Sequence, residues 1–146
     1  MTNWTYKGEP INEIDPSFIG FIYCITQIST GKMYYGKKKA VFKKTALKTV
    51  LVKSTGLKKK KKIRSLVASD WVTYYGSSDA LKAEIEKCGV EDFHREILVF
   101  CDTESMLSYQ EAKIQFTTDC LMHPDKYFNS WIMVRVRRDH LLKSGK

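Results

Sequence analysis

The sequence has no apolar run that approaches the ~20 residues of a membrane-spanning helix, and its first residues, MTNWTYKGEP, lack the apolar core of a signal peptide. Its four cysteines stand at positions 24, 88, 101 and 120, and no two of them form a Cys-x-x-Cys pair. The spacing therefore predicts neither a zinc site nor a redox dithiol. We expect a cytoplasmic protein that does not bind membranes and whose thiols are free and mostly buried.

Acidic residues are missing from more than a third of the chain. The stretch from Pro16 to Ser69 contains thirteen lysines, one arginine and no Asp or Glu, a charge of +14, whereas the whole chain carries +9. The remaining residues therefore sum to −5. Because the excess positive charge is concentrated in one stretch, we expect one electropositive side and a polyanionic partner.

The length of 146 residues, 43% of them apolar, suffices for one domain with a core and is short for two. We divide the chain into an N-terminal lead-in (1–18), a domain (19–134) and a basic C-terminal tail (135–146). A lysine-rich insertion occupies about residues 40–69 of the domain.

A β-hairpin is predicted within Gly20–Lys39. Two short apolar and aromatic runs, Ile19–Ile25 and Met33–Gly36, flank a polar segment with residues typical of a chain reversal. Alternation along the first run places Phe21, Tyr23 and Ile25 on one face. Tyr34 lies on the second strand, so each strand brings one tyrosine, and lysines follow directly after Gly36.

The rest of the domain predicts helices around a small sheet. Residues 40–53 fit either a helix or a strand, 54–62 a loop, and 63–68 a short strand. Ser77 or Ser78 is expected to cap a helix that ends at Gly89, a third strand spans Phe93–Cys101, and a long helix runs from about Asp102 or Thr103 to Leu121. The predicted fold is α/β, a mainly antiparallel sheet of three strands flanked by helices.

Glu111 falls inside the apolar stripe of the long helix, between Leu107 and Ile114. An unpaired buried carboxylate costs roughly several kcal/mol, so Glu111 needs a partner. Three alternatives are open: a salt bridge to Lys or Arg, a helix rotated so that Glu111 is exposed, or a metal site. One carboxylate and several water molecules are an ordinary ligand set for Mg²⁺.

These features together resemble the GIY-YIG nuclease superfamily. The motifs FIY and, after ten residues, YYG match its paired signature, with Phe21 in place of the usual Gly and Tyr35 in place of the usual Ile. Further blocks, namely the lysine-rich insertion, D-W-x-x-Y-Y-G-S-S, F-x-R-E-I-L and Y-Q-E, are similar to the Seg-type GIY-YIG endonucleases of large tailed phages. The matching blocks span about Gly20 to Ile132.

The resemblance implies a phage-encoded, homing-type or DNA-degrading endonuclease that acts in the cytoplasm of an infected bacterial host. It implies hydrolysis of DNA phosphodiesters by water attack, with Mg²⁺ or Mn²⁺ held by Glu111. It implies Tyr23 and Tyr34 as candidate bases and Asn129 as a further catalytic residue. Classical members clamp the phosphate with an arginine, which is absent between Gly36 and Ile63; the candidate replacements are Lys37, Lys38 and Arg64.

Candidate contacts to DNA, most simply double-stranded DNA, lie in the insertion, in the D-W-x-x-Y-Y-G-S-S block and in the tail. They are Lys39, Lys43, Lys44, Lys58, Lys59, Lys60, Lys61, Lys62, Trp71, Ser77, Arg135, Arg137 and Arg138. The structural alternatives are a solvated lysine loop, a turn with buried aromatics and a helix cap, and a solvated tail.

Two rival functions use the same basic face without catalysis. A non-catalytic DNA- or RNA-binding protein would keep the fold and the charge, and an inhibitor would bind another protein through this face. We favour the enzyme, because an inward-facing glutamate serves a metal site but opposes the binding of a polyanion.

Overall fold

The computed structural model describes residues 3–51 and 56–144. Its strands are β1 (Trp4–Tyr6), β2 (Glu9–Ile11), β3 (Gly20–Gln27), β4 (Met33–Lys39), β5 (Val41–Leu51), β6 (Lys58–Ala68) and β7 (Phe93–Cys101). Its α-helices are α1 (Asp79–Cys88), α2 (Glu104–Thr117) and α3 (Arg138–Ser144), and three 3₁₀ turns cover Trp71–Thr73, Val90–Asp92 and Cys120–Met122. Within this described part, no helix is long and apolar enough to cross a membrane.

The main sheet has the order β2-β1-β7-β3-β4, with β1 and β7 parallel and all other neighbours antiparallel. The expectation of three strands is wrong, because the lead-in adds β1 and β2 at one side of β7. Trp4, on β1, is 1% exposed, and its ring packs edge-on against Phe21 at 5.0 Å and Tyr23 at 5.4 Å. The three-residue strands are too short to show a periodic pattern.

The predicted hairpin is confirmed as β3 and β4, in which Tyr23 pairs with Gly36 and Ile25 with Tyr34. The two faces of β3 carry separate cores. On one face, Phe21, Tyr23 and Ile25 belong to a cluster with Trp4 and Trp71. On the other face, Ile22 packs with Cys101 of β7 and Leu107 of α2.

Both predicted helices begin at the expected caps. The Ser78 hydroxyl accepts a hydrogen bond from the Leu81 N–H at the start of α1, and Thr103 does the same for Met106 in α2. Helix α1 ends at Gly89 as predicted. Helix α2 ends at Thr117, four residues earlier than expected, because Asp119 has a left-handed backbone (φ 53°) that cannot continue a helix.

The insertion forms a two-stranded antiparallel ribbon, β5 paired with β6 from Val41↔Ala68 to Leu51↔Lys58. The loop predicted for residues 54–62 is therefore wrong for Lys58–Lys62, which lie within β6. Residues 52–55 lie outside the described part of the chain. At the base of the ribbon, the Ser69 N–H donates to the Ala40 carbonyl at 2.9 Å.

The four thiols are free, and three of them are buried, as expected; Cys88, on α1, is exposed.

Candidate active site

A cavity of about 510 Å³ opens beside β4, the edge strand of the main sheet. Strand β4 brings Tyr34 and Lys37, and α2 brings Glu111 and Gln115. The remaining walls come from the cap of α1 and from the segment after Phe128: Ser77, Ser78, Asp79, Ala80, Asn129, Ser130, Trp131 and Met133. Four predicted catalytic residues, Tyr34, Lys37, Glu111 and Asn129, thus line one cavity.

Tyr34 is the tyrosine that reaches this cavity. Its hydroxyl lies 3.5 Å from the Ser77 Oγ, and its ring stands 6.2 Å from the ring of Tyr23. Burial raises the pKa of the Tyr34 phenol, and the hydrogen bond with Ser77 partly opposes that rise. The phenol is therefore protonated at neutral pH, with its oxygen at the cavity wall.

Tyr23 is fully buried behind Tyr34, and its hydroxyl has no hydrogen bond of good geometry within the described residues. Burial, followed by the nearby phenols of Tyr74 and Tyr34, raises its pKa well above the ordinary value. A Cβ at Gly36 would clash with this hydroxyl, and one at Gly76 would lie 3.6 Å from it. The glycine of the YYG motif thus makes room for the buried tyrosine.

The side chain of Glu111 is half-buried, neither fully exposed to solvent nor fully enclosed. Burial raises the pKa of its carboxyl group, and the charge of Lys37 together with that residue's backbone N–H lowers it again in part. The Lys37 ammonium donates to the Ser108 Oγ at 2.8 Å, one helical turn before Glu111. Lys37 therefore lies near the Glu111 carboxylate, but the salt bridges among the described residues do not include one between the two.

Asn129 holds the segment 126–129 against the outer edge of β4. Its side-chain N–H donates to the Tyr35 carbonyl at 2.8 Å, and its Oδ1 accepts from the Tyr35 N–H at 3.0 Å. Gln115, which the sequence did not single out, donates to the same carbonyl at 3.1 Å. Asn129 lines the cavity, but its amide is occupied by the backbone of β4.

The three candidates for the phosphate clamp are separated by the fold. Lys37 lines the cavity, whereas the Lys38 ammonium bonds to Asp70 at 2.5 Å and lies 4.1 Å from the centre of the Tyr74 ring. Neighbouring residues of a strand face opposite sides, which explains this division. The side chain of Arg64 lies outside the described residues, so its placement stays a prediction.

The predicted DNA contacts fall into several environments. Lys39 pairs with Glu104 at 2.8 Å, Lys58 is exposed, and Ser77 is exposed at the cavity rim. Trp71 is 8% exposed and its carbonyl accepts from the Trp4 indole at 2.6 Å, which favours the packing alternative for this residue. The tail arginines Arg135, Arg137 and Arg138 are exposed, and the side chains of Lys43, Lys44, Lys59, Lys60, Lys61 and Lys62 lie outside the described residues.

Arg95 organises the segment that leads to Ser77, a role that sequence reasoning missed. Its guanidinium is buried between the Trp4 ring (4.6 Å) and the Tyr75 ring (4.0 Å) and donates to the carbonyls of Val72 and Tyr74. The signal was available, because Arg95 occupies an inward position of β7 between Phe93 and Ile97.

No group of three or more His, Cys, Asp or Glu side chains that could hold a metal ion occurs among the residues described. An ion held by Glu111 would therefore have at most one further acidic side chain of the cavity wall, Asp79, as a ligand, and water would complete its coordination. That ligand set suits Mg²⁺, which keeps several waters when it binds proteins.

Paired strands that each carry a tyrosine, with a glutamate from the following long helix at the same sheet edge, define an α/β domain of the GIY-YIG nuclease class. Family models identify the particular family: the chain belongs to the family described as "Putative endonuclease segE, GIY-YIG domain", whose model matches residues 4–132. Searches among curated proteins and solved structures find no match.

Proposed function

We propose that the protein is a Mg²⁺- or Mn²⁺-dependent endonuclease that hydrolyses phosphodiester bonds of double-stranded DNA by water attack. The observation that carries this proposal is the meeting of Glu111, Tyr34 and Lys37 in one solvent-accessible cavity. The family supports a nuclease acting on DNA. The phage origin, the homing or degrading role and the cytoplasmic location rest on the resemblance alone and stay predictions.

Glu111 fits a metal ligand for two reasons. Its carboxylate lies at a cavity wall large enough for several water molecules, and the chain places Lys37 near it without the direct salt bridge that would occupy both groups. When bound there, a divalent cation supplies positive charge that polarises the scissile phosphate and stabilises the leaving oxygen. Lys37 would neutralise charge on the phosphate oxygens as a point charge.

Tyr34 is the better placed of the two candidate bases, because its oxygen lies at the cavity wall beside Ser77. A phenol with a raised pKa does not lose its proton spontaneously at neutral pH. Tyr34 would therefore orient the attacking water and relay its proton: the phenol oxygen would accept the proton of that water while it gives its own proton to solvent in the cavity. Tyr23 would act through Tyr34, by packing behind its ring.

The ribbon of β5 and β6 would bind the duplex next to the cavity. Its two strands contain nine lysines and arginines and no acidic residue, and each packs mainly against the other. An 11-residue strand spans roughly 36 Å, about one turn of duplex DNA, and a two-stranded ribbon fits the ~12 Å major groove. β4 leads directly into β5, and β6 leads into the segment that ends at Ser77, so the ribbon starts at the site.

Supercoiled plasmid tests this proposal and separates it from the non-catalytic binding protein. With Mg²⁺ the protein should produce nicked or linear DNA, and EDTA should stop the reaction while retardation of DNA at low salt persists. Retardation in both conditions with no cleavage in either would instead identify a binding module, whose affinity falls steeply with salt and needs no metal.

Phenylalanine at the two tyrosine positions should have unequal effects. Tyr34→Phe removes the oxygen at the cavity wall and should lower kcat by about 10²–10⁴-fold, the usual contribution of a general base. Tyr23→Phe removes a buried hydroxyl that lacks a good hydrogen bond, so kcat should fall less than tenfold and the Tm should not fall. Single-turnover cleavage and thermal melting measure both effects; a larger loss of kcat in Tyr23→Phe would reverse the assignment.

Glu111→Gln should raise stability at neutral pH while it removes cleavage. A carboxyl group whose pKa is higher in the folded than in the unfolded state binds more protons when folded, so its ionisation destabilises the fold as pH rises above the ordinary value of 4.5. The amide has no such loss. The Tm of Glu111→Gln should exceed that of wild type at pH 7 in EDTA, and the two values should converge near pH 4. A lower Tm at pH 7 would mean that the carboxylate has a stabilising partner.

A further inference from the structure

We propose that Trp131 is a stacking platform for a nucleobase next to the scissile phosphate. This inference rests on the proposed function. The residue lines the same cavity as Tyr34, Glu111 and Lys37, yet its side chain is 66% exposed. An indole ring so exposed at a cavity that receives DNA offers an apolar face to the flat face of a base.

The backbone just before Trp131 is attached to the strand that carries Tyr34. Two residues earlier, Asn129 makes two hydrogen bonds with the Tyr35 backbone, and the Phe128 N–H donates to the Met33 carbonyl at 2.8 Å. The chain that carries the indole is therefore attached along the edge of the strand that carries Tyr34. Met133, 74% exposed, lines the same cavity and extends the apolar wall.

A nucleobase fits this wall better than a protein side chain does. Lys37 lines the same cavity and Arg135 is exposed two residues after Met133, so cationic groups for phosphates lie beside the apolar wall. Every phosphate of DNA has a base on each side, and aromatic rings next to cations are how proteins bind single-stranded or unstacked bases.

Stacking on Trp131 has a consequence for substrate choice. The faces of bases inside an intact duplex are covered by their neighbours, so the base that meets the indole must be unstacked. Unstacking costs least at a mismatched or unpaired position. The protein should therefore bind a duplex with a central mismatch more tightly than the fully paired duplex, and Trp131 should account for that preference.

Tryptophan fluorescence in EDTA tests the inference without cleavage. Trp4 and Trp71 are 1% and 8% exposed, so Trp131 is the tryptophan open to an external quencher. Mismatched duplex and single-stranded oligonucleotide should quench its emission, polyphosphate should not, and Trp131→Phe should lose the quenching. Equal quenching by polyphosphate, or quenching that persists in Trp131→Phe, would overturn the proposal, as would emission that responds to protein concentration but not to DNA.

Binding and kinetics complete the test. Trp131→Ala should weaken binding of the mismatched duplex about tenfold and remove its preference over the paired duplex, whereas Trp131→Phe should keep both. In the cleavage assay the loss should appear in KM, with kcat at saturating DNA changed much less. Cleavage that is unaffected by Trp131→Ala would refute the stacking role and leave the nuclease intact; base-dependent quenching by a protein that does not cleave would keep the stacking role and refute the nuclease.

Discussion

Glu111→Ala should abolish metal-dependent cleavage, by about 10³-fold or more, and leave DNA binding in EDTA unchanged or slightly stronger. The carboxylate is the acidic side chain of α2 at the cavity, and removing the group that would hold the divalent cation removes the charge that stabilises the leaving oxygen. Binding should survive, because a carboxylate opposes a polyanion and its loss makes the cavity more positive. Plasmid cleavage with Mg²⁺ and gel retardation with EDTA measure the two effects.

Glu86→Ala is the matched control, because it makes the same substitution at an exposed position of α1 outside this cavity. It should cleave like wild type. Residual cleavage by Glu111→Ala at more than a tenth of the wild-type rate would show that the carboxylate is not essential, and the metal would then have to bind elsewhere. Parallel loss of cleavage and of binding would point to damage to the fold.

The hairpin and the helices could be predicted from local sequence because each depends on nearby residues. Alternation of apolar side chains in β3 gives its two faces, and the Ser78 and Thr103 hydroxyls stand where helix caps require them. Glu111 was recognisable for a similar reason, since a carboxylate in the apolar stripe of a helix contradicts its surroundings. The placement of Tyr34 and Glu111 at one cavity needed the fold, because β3, β4 and α2 meet only after the sheet forms.

The features that could not be predicted from the sequence depend on contacts between segments that are distant along the chain. β1 has three residues and is recognisable only beside β7, with which it pairs across about ninety residues. The lysines of β6 have weak strand propensity and suggest a solvated loop, yet they pair along the whole of β5, whose own sequence was ambiguous. Trp131 and Gln115 have no local pattern that marks them as cavity residues. Tertiary contacts decide these positions.

Replacing Lys59, Lys60, Lys61 and Lys62 together by glutamine should weaken DNA binding and make the binding less dependent on salt. Neighbouring residues of a strand face opposite sides, so two of these four lysines can face the same duplex. If each of those two meets a phosphate, the slope of log affinity against log salt should become shallower by about 2. The ribbon packs mainly against itself, so the core should tolerate the change and the Tm should stay close to that of wild type. Cleavage at saturating DNA should keep its kcat, because the cavity residues are untouched.

The control removes the same charge from elsewhere on the surface: Lys82, Lys87, Lys113 and Lys126, all exposed, are replaced by glutamine. Both variants lower the formal net charge from +9 to +5, so any effect of total charge is shared. Only the ribbon variant should show a shallower slope of log affinity against log salt, because counterion release requires contact with phosphates. A long-range attraction depends instead on net charge and is screened within about 8–10 Å at moderate salt. Equal slopes in the two variants would therefore assign DNA attraction to the whole basic surface and remove the ribbon from the interface.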